Sequence, residues 1–329
     1  MAIQVTDLHL LRHQLLVRRE KLEAATARSK TANLVLLLDQ VDRALERTDN
    51  GSFGICEICN GTVEDQRLIA DPLARVCLDC LKPAEARALE QDLELAARIQ
   101  AGLLPKPDFS AAGWNIAYHY AAAGPVSGDY CDLVAHNGDL YFMLGDVSGK
   151  GVAASMLMAN LQAMFRVLIP TGLPLEDLVA RANRIFSEST LPTQYATLVI
   201  GKAKACGEVE VCNGGHPAPL HVSRGSVRPI ESTALPVGMF YDQEFVSTKI
   251  AFSPGDSLVL YTDGFTESPG PGGAEYGEHR LRALLSGKHG HVPRQMTQDC
   301  VQDLMAYRAN SRGDDDLTLL VLQFDPVQH

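Results

Sequence analysis

Two groups of side chains in this sequence have the types and spacing to do chemistry. The first lies in GICEICNGTVEDQRLIADPLARVCLDC, where Cys56 and Cys59 form one C-x₂-C pair and, after seventeen intervening residues, Cys77 and Cys80 form a second. Each C-x-x-C turn lets two thiolates reach one ion, and the intervening chain brings the second pair back to it. The spacing predicts a tetrahedral zinc site rather than a redox pair. Four protein ligands leave no open coordination position, so one structural Zn²⁺ is expected. Cys131, Cys206, Cys212 and Cys300 lack such spacing and are read as buried small hydrophobes.

The second group is acidic. VSGDYCD carries Asp129 and Asp132, LGDVSGKG carries Asp146, YTDGFTES carries Asp263, and GDDDLT carries Asp314, Asp315 and Asp316. Singly, each is ordinary turn chemistry. An apolar strand that delivers one acid straight into a Gly-rich turn, as Phe142–Asp146 and Leu258–Asp263 do, is less common. If those strand ends meet, the carboxylates repel unless cations neutralise them, and an all-oxygen site suits Mg²⁺ or Mn²⁺. A nucleotide-binding Walker A loop is excluded: Leu144 stands where its first Gly is required, and Gly151 follows Lys150 in place of Ser or Thr. Lys150 is read as a solvated loop charge, with electrostatic steering of a phosphate as the alternative. His216, in NGGHPAPL, is read as a histidine that fixes its own turn, with substrate contact as the alternative.

These residues must be positioned by elements of several kinds. Residues 6 to 49 contain no Gly or Pro and space their leucines helically, which predicts one long helix or a tight hairpin ending at Asn50-Gly51. Pro83 opens a linker helix stopped by Pro105. Its Leu89, Leu93, Ala96, Gln100 and Leu103 follow a 4-3-4-3 spacing, a seam for a partner helix or a face packed on its own domain. Strands are expected at 114–123, 129–136 and 139–147, the last two joined by Asn137-Gly138, then at 195–205, 208–213, 257–263 and 316–324. Helices are expected at 151–169 and 175–188, with two more before the last strand. Hairpins alternating with blocks of helix indicate an α+β fold with antiparallel sheets. SPGPGG at 268–273 reads as a mobile loop.

The chain has 329 residues, 46% hydrophobic and 21% charged, room for roughly two domains of about 100–200 residues each. Its net charge of −11 argues against nucleic acid as a partner. No secretory signal and no apolar run near the ~20 residues of a membrane span are evident, so a cytoplasmic protein without a membrane partner is expected.

Two resemblances sharpen this reading. DRALERTDNGSFGICEICNGTVEDQRLIADPLARVCLDC resembles the zinc finger of the DksA/TraR family, which accompanies a coiled coil that enters the RNA polymerase secondary channel with acidic residues at its tip. No acidic tip is found between Lys30 and Val35, so a docking or dimerisation module is expected here. From about residue 85 to 326 the chain resembles the metal-dependent protein phosphatases (PPM, type 2C-like), most closely their SpoIIE/RsbU branch. The resemblance rests on ARIQAGLLP, SGDYCD, GDVSGKGVAASMLMA, NGGHPAPL, LPVGM, YTDGFTES, EYGEHRL and DDLT in family order.

The second resemblance implies a PPM-type antiparallel β-sandwich flanked by helices. It implies two Mn²⁺ or Mg²⁺ that activate a water against phosphoserine or phosphothreonine. Asp129 and Asp146 become ligands, with Asp146 bridging both ions. The Val147 carbonyl is a further ligand, and Asp263 and Asp315 hold the second ion. The implied substrate is a phosphorylated anti-sigma-factor antagonist. The expected organisation is a helical segment at 1–50, the finger at 51–82, the linker helix at 83–107 and the phosphatase domain at 108–329, with a homodimer through the helical segments left open. The alternative is a non-catalytic zinc-finger interaction protein that docks on RNA polymerase or another partner.

Overall fold

In the first fifty residues the leucine spacing closes as a helical hairpin rather than one long helix. The computed structural model describes residues 5–28, 32–191, 193–308 and 315–326. Asp314, and Lys30 where the hairpin was expected to turn, lie outside these. Helices α1 (Val5–Arg28) and α2 (Ala32–Asn50) run antiparallel, as the pairs Arg12–Asp49 at 3.0 Å and Arg19–Asp42 at 2.8 Å show. Leu11 and Leu15 are buried with Val41, Ala44 and Leu45, and the same core continues into the cysteine segment through Phe53, Val63 and Leu68. A short α3 (Asp65–Ala70) lies between the two cysteine pairs. Residues up to Leu93 form one compact unit, and the rest of the chain from Glu94 forms a second. The border falls within α4 (Pro83–Leu103).

The second unit is a sandwich of two antiparallel sheets. The first contains β1 (Phe109–Ala111), β2 (Trp114–Ala121), β7 (Leu220–Ser223), β8 (Ser226–Pro229), β10 (Ser257–Tyr261) and β11 (Leu317–Phe324), in the order β1-β2-β11-β10-β7-β8. The second runs β3 (Asp129–His136), β4 (Asp139–Val147), β5 (Ala196–Ala203), β6 (Glu208–Gly214) and β9 (Ser247–Ala251) in chain order. Helices α5 (Gly151–Leu168) and α6 (Leu175–Ser189) cover the outer face of the second sheet, while α8 (Glu278–Leu285) and α9 (Pro293–Arg308) cover that of the first.

Side-chain alternation explains the layers. In β11, Leu320, Leu322 and Phe324 enter the sandwich interior, while Leu317, Leu319 and Val321 meet α8 and α9. Both faces are buried, so the strand reads as a continuous apolar run. Helix α5 with the turn after it, Gly151–Thr171, is, contrary to the sequence reading, long and apolar enough to cross a bilayer by length and composition. Met158, Leu161 and Phe165 are packed in the core against the second sheet, which accounts for that apolarity.

Four short strands escaped the sequence reading: β1, β7, β8 and β9. Strand β10 stops at Tyr261, and Asp263 instead opens the single turn α7 (Asp263–Thr266). The Pro- and Gly-rich segment after it folds back on itself: Gly270 N–H donates to the Ala274 carbonyl at 2.8 Å, and Tyr307 Oη donates to the Ala274 and Glu275 carbonyls.

Candidate metal centres

In the first unit the four predicted cysteines converge. Among the described residues they form the only group of three or more such ligands whose donor atoms all lie within 4.8 Å of one another. Cys59 and Cys77 Sγ are 3.7 Å apart. Backbone N–H groups point at the sulfurs, from Gly61 to Cys59 and from Cys77 to Cys56, each at 3.4 Å. Backbone donors at Cys59 and Cys77 push the Cys56 thiol down to about 6, toward the thiolate that binds metal. This donor set fits one tetrahedral Zn²⁺ with no open position. Of the other cysteines, Cys131, Cys212 and Cys300 are buried as expected, whereas Cys206 is exposed, because it sits in the β5–β6 turn.

In the second unit the strand ends that carry the acids meet at one end of the sandwich. Asp129 opens β3 directly opposite Asp146 near the end of β4. Strand β10 delivers Asp263 just beyond Tyr261, which pairs with Leu319 of β11, so Asp315 and Asp316 arrive beside α7. The approach is close: a Cβ on Gly264 would lie 1.9 Å from the Asp316 carbonyl oxygen, so only glycine fits there. Likewise a Cβ on Gly128 would lie 3.1 Å from the Val147 carbonyl and 3.4 Å from Asp146 Oδ1, so these two oxygens share one narrow space.

Electrostatics mark the cluster. Burial, then Asp263, Asp315 and Asp316, push Asp146 up to about 7, with Lys150 opposing. Burial and Asp315 raise Asp263, and burial and Asp146 raise Asp129 well above the usual carboxylate range. Acids this mutually unfavourable call for cations, and the donors (Asp129, Asp146, Asp263, Asp315 and the Val147 carbonyl) are all hard oxygens that fit Mg²⁺ or Mn²⁺. The carboxylates are spread more widely than the cysteines: among the described residues no three of them offer donor atoms all within 4.8 Å of one another.

Other residues fall into place around them. Asp316 accepts the Ala123 and Gly128 N–H groups at 2.8 and 2.9 Å, so its carboxylate ties down the loop before β3. Asp315 instead pairs with Lys150, whose Nζ is 2.9 Å from Oδ1. Lys150 is thus exposed, as its loop context suggests, and in addition serves as a counter-charge to the acids. Asp132 is fully buried, three residues from Asp129 and on the opposite face of β3, where Arg166 of α5 grips it at 2.6 and 2.7 Å. His216 is buried and pushed down to about 3 by that burial, against the Tyr261 backbone. Its Nδ1 shares a 2.8 Å hydrogen bond with Thr197 Oγ1, and Asn213 clasps its backbone, so it fixes its turn.

Sequence reasoning missed the supporting side chains Thr262, Thr318 and Arg308, whereas Gln100 follows the reading in which the linker helix packs on its own domain. Thr262 Oγ1, at 3.1 Å, and Thr318 Oγ1 both donate to Asp129 Oδ2, joining both sheets through one carboxylate. Arg308, at the end of α9, donates to the Gly264 carbonyl and to Ser268 Oγ, bracing α7. Gln100 of the expected helical seam turns to its own unit, with Nε2 donating to the Ser127 carbonyl at 2.7 Å and Oε1 accepting Ser127 N–H at 2.9 Å. The threonines were visible in YTDG and DDLT; nothing in spacing marked Arg308.

Comparison with known proteins places this geometry. Residues 136–325 match the family model "Stage II sporulation protein E (SpoIIE)", and residues 51–86 match "Prokaryotic dksA/traR C4-type zinc finger". Protein IcfG of Synechocystis is 26% identical over 263 residues, 70% of this chain and 41% of that one. Phosphoserine phosphatase RsbP of Bacillus subtilis is 27% identical over 184 residues, 53% of this chain and 45% of that one. The chain therefore spans under half the length of these two relatives. Among solved structures, the RsbU and RsbW domains of a Mycobacterium tuberculosis protein superpose with a TM-score of 0.59 at 28% identity, covering 68% of this chain and 62% of that one.

Proposed function

Because the chain belongs to the SpoIIE family, we propose that it is a Mn²⁺- or Mg²⁺-dependent protein phosphatase that hydrolyses phosphoserine or phosphothreonine on an anti-sigma-factor antagonist. The observation that carries this reading is the convergence of Asp129, Asp146, Asp263 and Asp315 from four separate segments onto one end of the sandwich, with Asp146 pushed up to about 7. When bound, the two ions supply an activated water and offset charge on the phosphoryl oxygens.

The residues of the chain have distinct tasks. Asp146, flanked by other acids, would serve both ions, with the Val147 carbonyl, which shares its narrow space, as a further ligand. Asp263 and Asp315 provide for the second ion. Asp315 has this role rather than Asp316, whose oxygens are taken up by backbone N–H groups. Asp129, held by two hydroxyls, would be a ligand of the first ion. The zinc finger then serves as a docking or dimerisation module, with the helical segments as the surface for a second copy.

Asp146→Asn and Asp263→Asn test the reading. Each should lower Mn²⁺-dependent hydrolysis of p-nitrophenyl phosphate by about 100-fold or more, the scale of losing a preorganised charge at a reacting centre, with circular dichroism unchanged. Full activity in either variant would remove the mechanism. Dephosphorylation assays on phosphorylated antagonist proteins then identify the substrate, and the absence of any reaction with them would remove that assignment alone.

A further inference from the structure

Lys150 stands at a chemically odd place. It directly precedes α5, four residues after Asp146, and its ammonium lies 2.9 Å from Asp315 Oδ1. Asp315 is the acid that the proposed reaction assigns to the second ion, so Lys150 and that ion call on the same carboxylate. Two cations at one carboxylate repel, and the monovalent one, on a flexible four-carbon stem, is the one that yields. Its side chain is about half exposed, as is that of Asp315, so neither is locked by packing.

The other basic groups nearby are committed elsewhere. Arg308 is buried and bonded to Gly264 and Ser268 on the far side of α7. Arg166 is held by Asp132 on the opposite face of β3. A phosphoryl group brought to the acids would meet net negative charge from Asp146, Asp263, Asp315 and Asp316, and Lys150 is the ammonium that already acts on Asp146 and Asp263.

We propose that Lys150 is an exchangeable counter-ion: it competes with the second divalent ion for Asp315 and, when displaced, turns its ammonium to the oxygens of the phosphoryl group. This rests on the phosphatase reading above and adds to it a residue that couples ion uptake to phosphate binding. One charge thereby serves two partners in turn. The anion is held only when the second ion is in place, which guards the site against binding phosphate before it can act on it.

The test is titration of the full-length protein, wild type and Lys150→Gln, with Mn²⁺ by calorimetry. It is followed by titration of each Mn²⁺-loaded protein with inorganic phosphate. Lys150→Gln should take up the second Mn²⁺ about threefold to fivefold more tightly, the worth of a partly exposed ion pair. It should bind phosphate about tenfold more weakly, the worth of a charge-assisted hydrogen bond. Lys150→Arg should restore both values toward wild type, and Lys249→Gln on the edge strand β9 should change neither.

Unchanged or weaker second-ion affinity in Lys150→Gln overturns the competition, and unchanged phosphate affinity overturns the hand-over, even where wild type binds two ions and hydrolyses phosphate esters. Wild-type protein that binds fewer than two Mn²⁺ overturns the phosphatase reading itself, and this inference with it.

Discussion

Asp129 is buried and faces Asp146, yet it keeps a defined orientation because two hydroxyls donate to one of its oxygens. Removing one of two donors to a buried carboxyl group weakens its satisfaction, so Thr318→Val should cost about 1–3 kcal/mol in urea unfolding, while Thr262→Ser, which keeps its hydroxyl, should cost under about 1 kcal/mol. His216 gives a pH-dependent expectation of definite sign. The unfolded chain takes up this proton at its ordinary 6.5 and the folded chain only near 3. The contribution is complete above pH 6.5 and lost as pH falls from there toward 3. Relative to wild type, His216→Asn should therefore retain about 2 kcal/mol more of its own neutral-pH stability at pH 5, read from denaturation midpoints at the two pH values. At this scale Asp146 and Asp263 stood out because each ends an apolar run, whereas Asp129 opens its strand and Asp315 precedes its own, and these two stood out only through the family motifs. The pairing of Lys150 was not legible, since an ion pair across 165 residues of chain leaves no local trace. Strand alternation in DYCD does separate Asp129 from Asp132 onto opposite faces, and the pairing of buried Asp132 with half-exposed Arg166 is the outcome of that rule.

Elements place these side chains, and the tightest fit lies between α7 and the start of β11. Gly264→Ala would set a methyl group 1.9 Å from the Asp316 carbonyl, so α7 must shift and carry Asp263 with it. The expected outcome is a loss of second-ion affinity together with a destabilisation of about 1–3 kcal/mol, the range for overpacking, measured by calorimetry and by urea unfolding. Arg166→Leu should loosen α5 from β3 by leaving Asp132 buried without its partner. About 2–3 kcal/mol is expected, below the full cost of breaking a buried pair because the arginine is half exposed. Urea unfolding measures it, and Asp132→Asn in the same background should recover part of the loss. The long periodic helices and the central strands were readable in the sequence. Strands β1, β7, β8 and β9 were not: at three to five residues they carry too few alternations for a period to register, and each takes its place from a longer neighbour.

Across the whole molecule, two compact units carry two chemistries with different donors, sulfur in one and oxygen in the other. A strong zinc chelator should release one Zn²⁺ per chain and abolish hydrogen-exchange protection in residues 51–81, while the sandwich strands from Trp114 onward keep theirs. Protection that persists in the finger after zinc loss would show that it folds without metal. The ordered run of motifs made this architecture legible, because turn chemistry repeated in a fixed order constrains a fold more than any single motif does. Strand order within the sheets was out of reach, since nothing local records which strands become neighbours. That order has a consequence for synthesis. Strand β11, the last in the chain, lies between β2 and β10 near the middle of its sheet, and Asp315 and Thr318 come with it. A nascent polypeptide still on the ribosome, or a product of premature termination before Leu317, would hold two unjoined half-sheets and lack part of the site. Its sandwich could not close and the acids would not all be brought together, so partly made copies would lack the proposed phosphatase site.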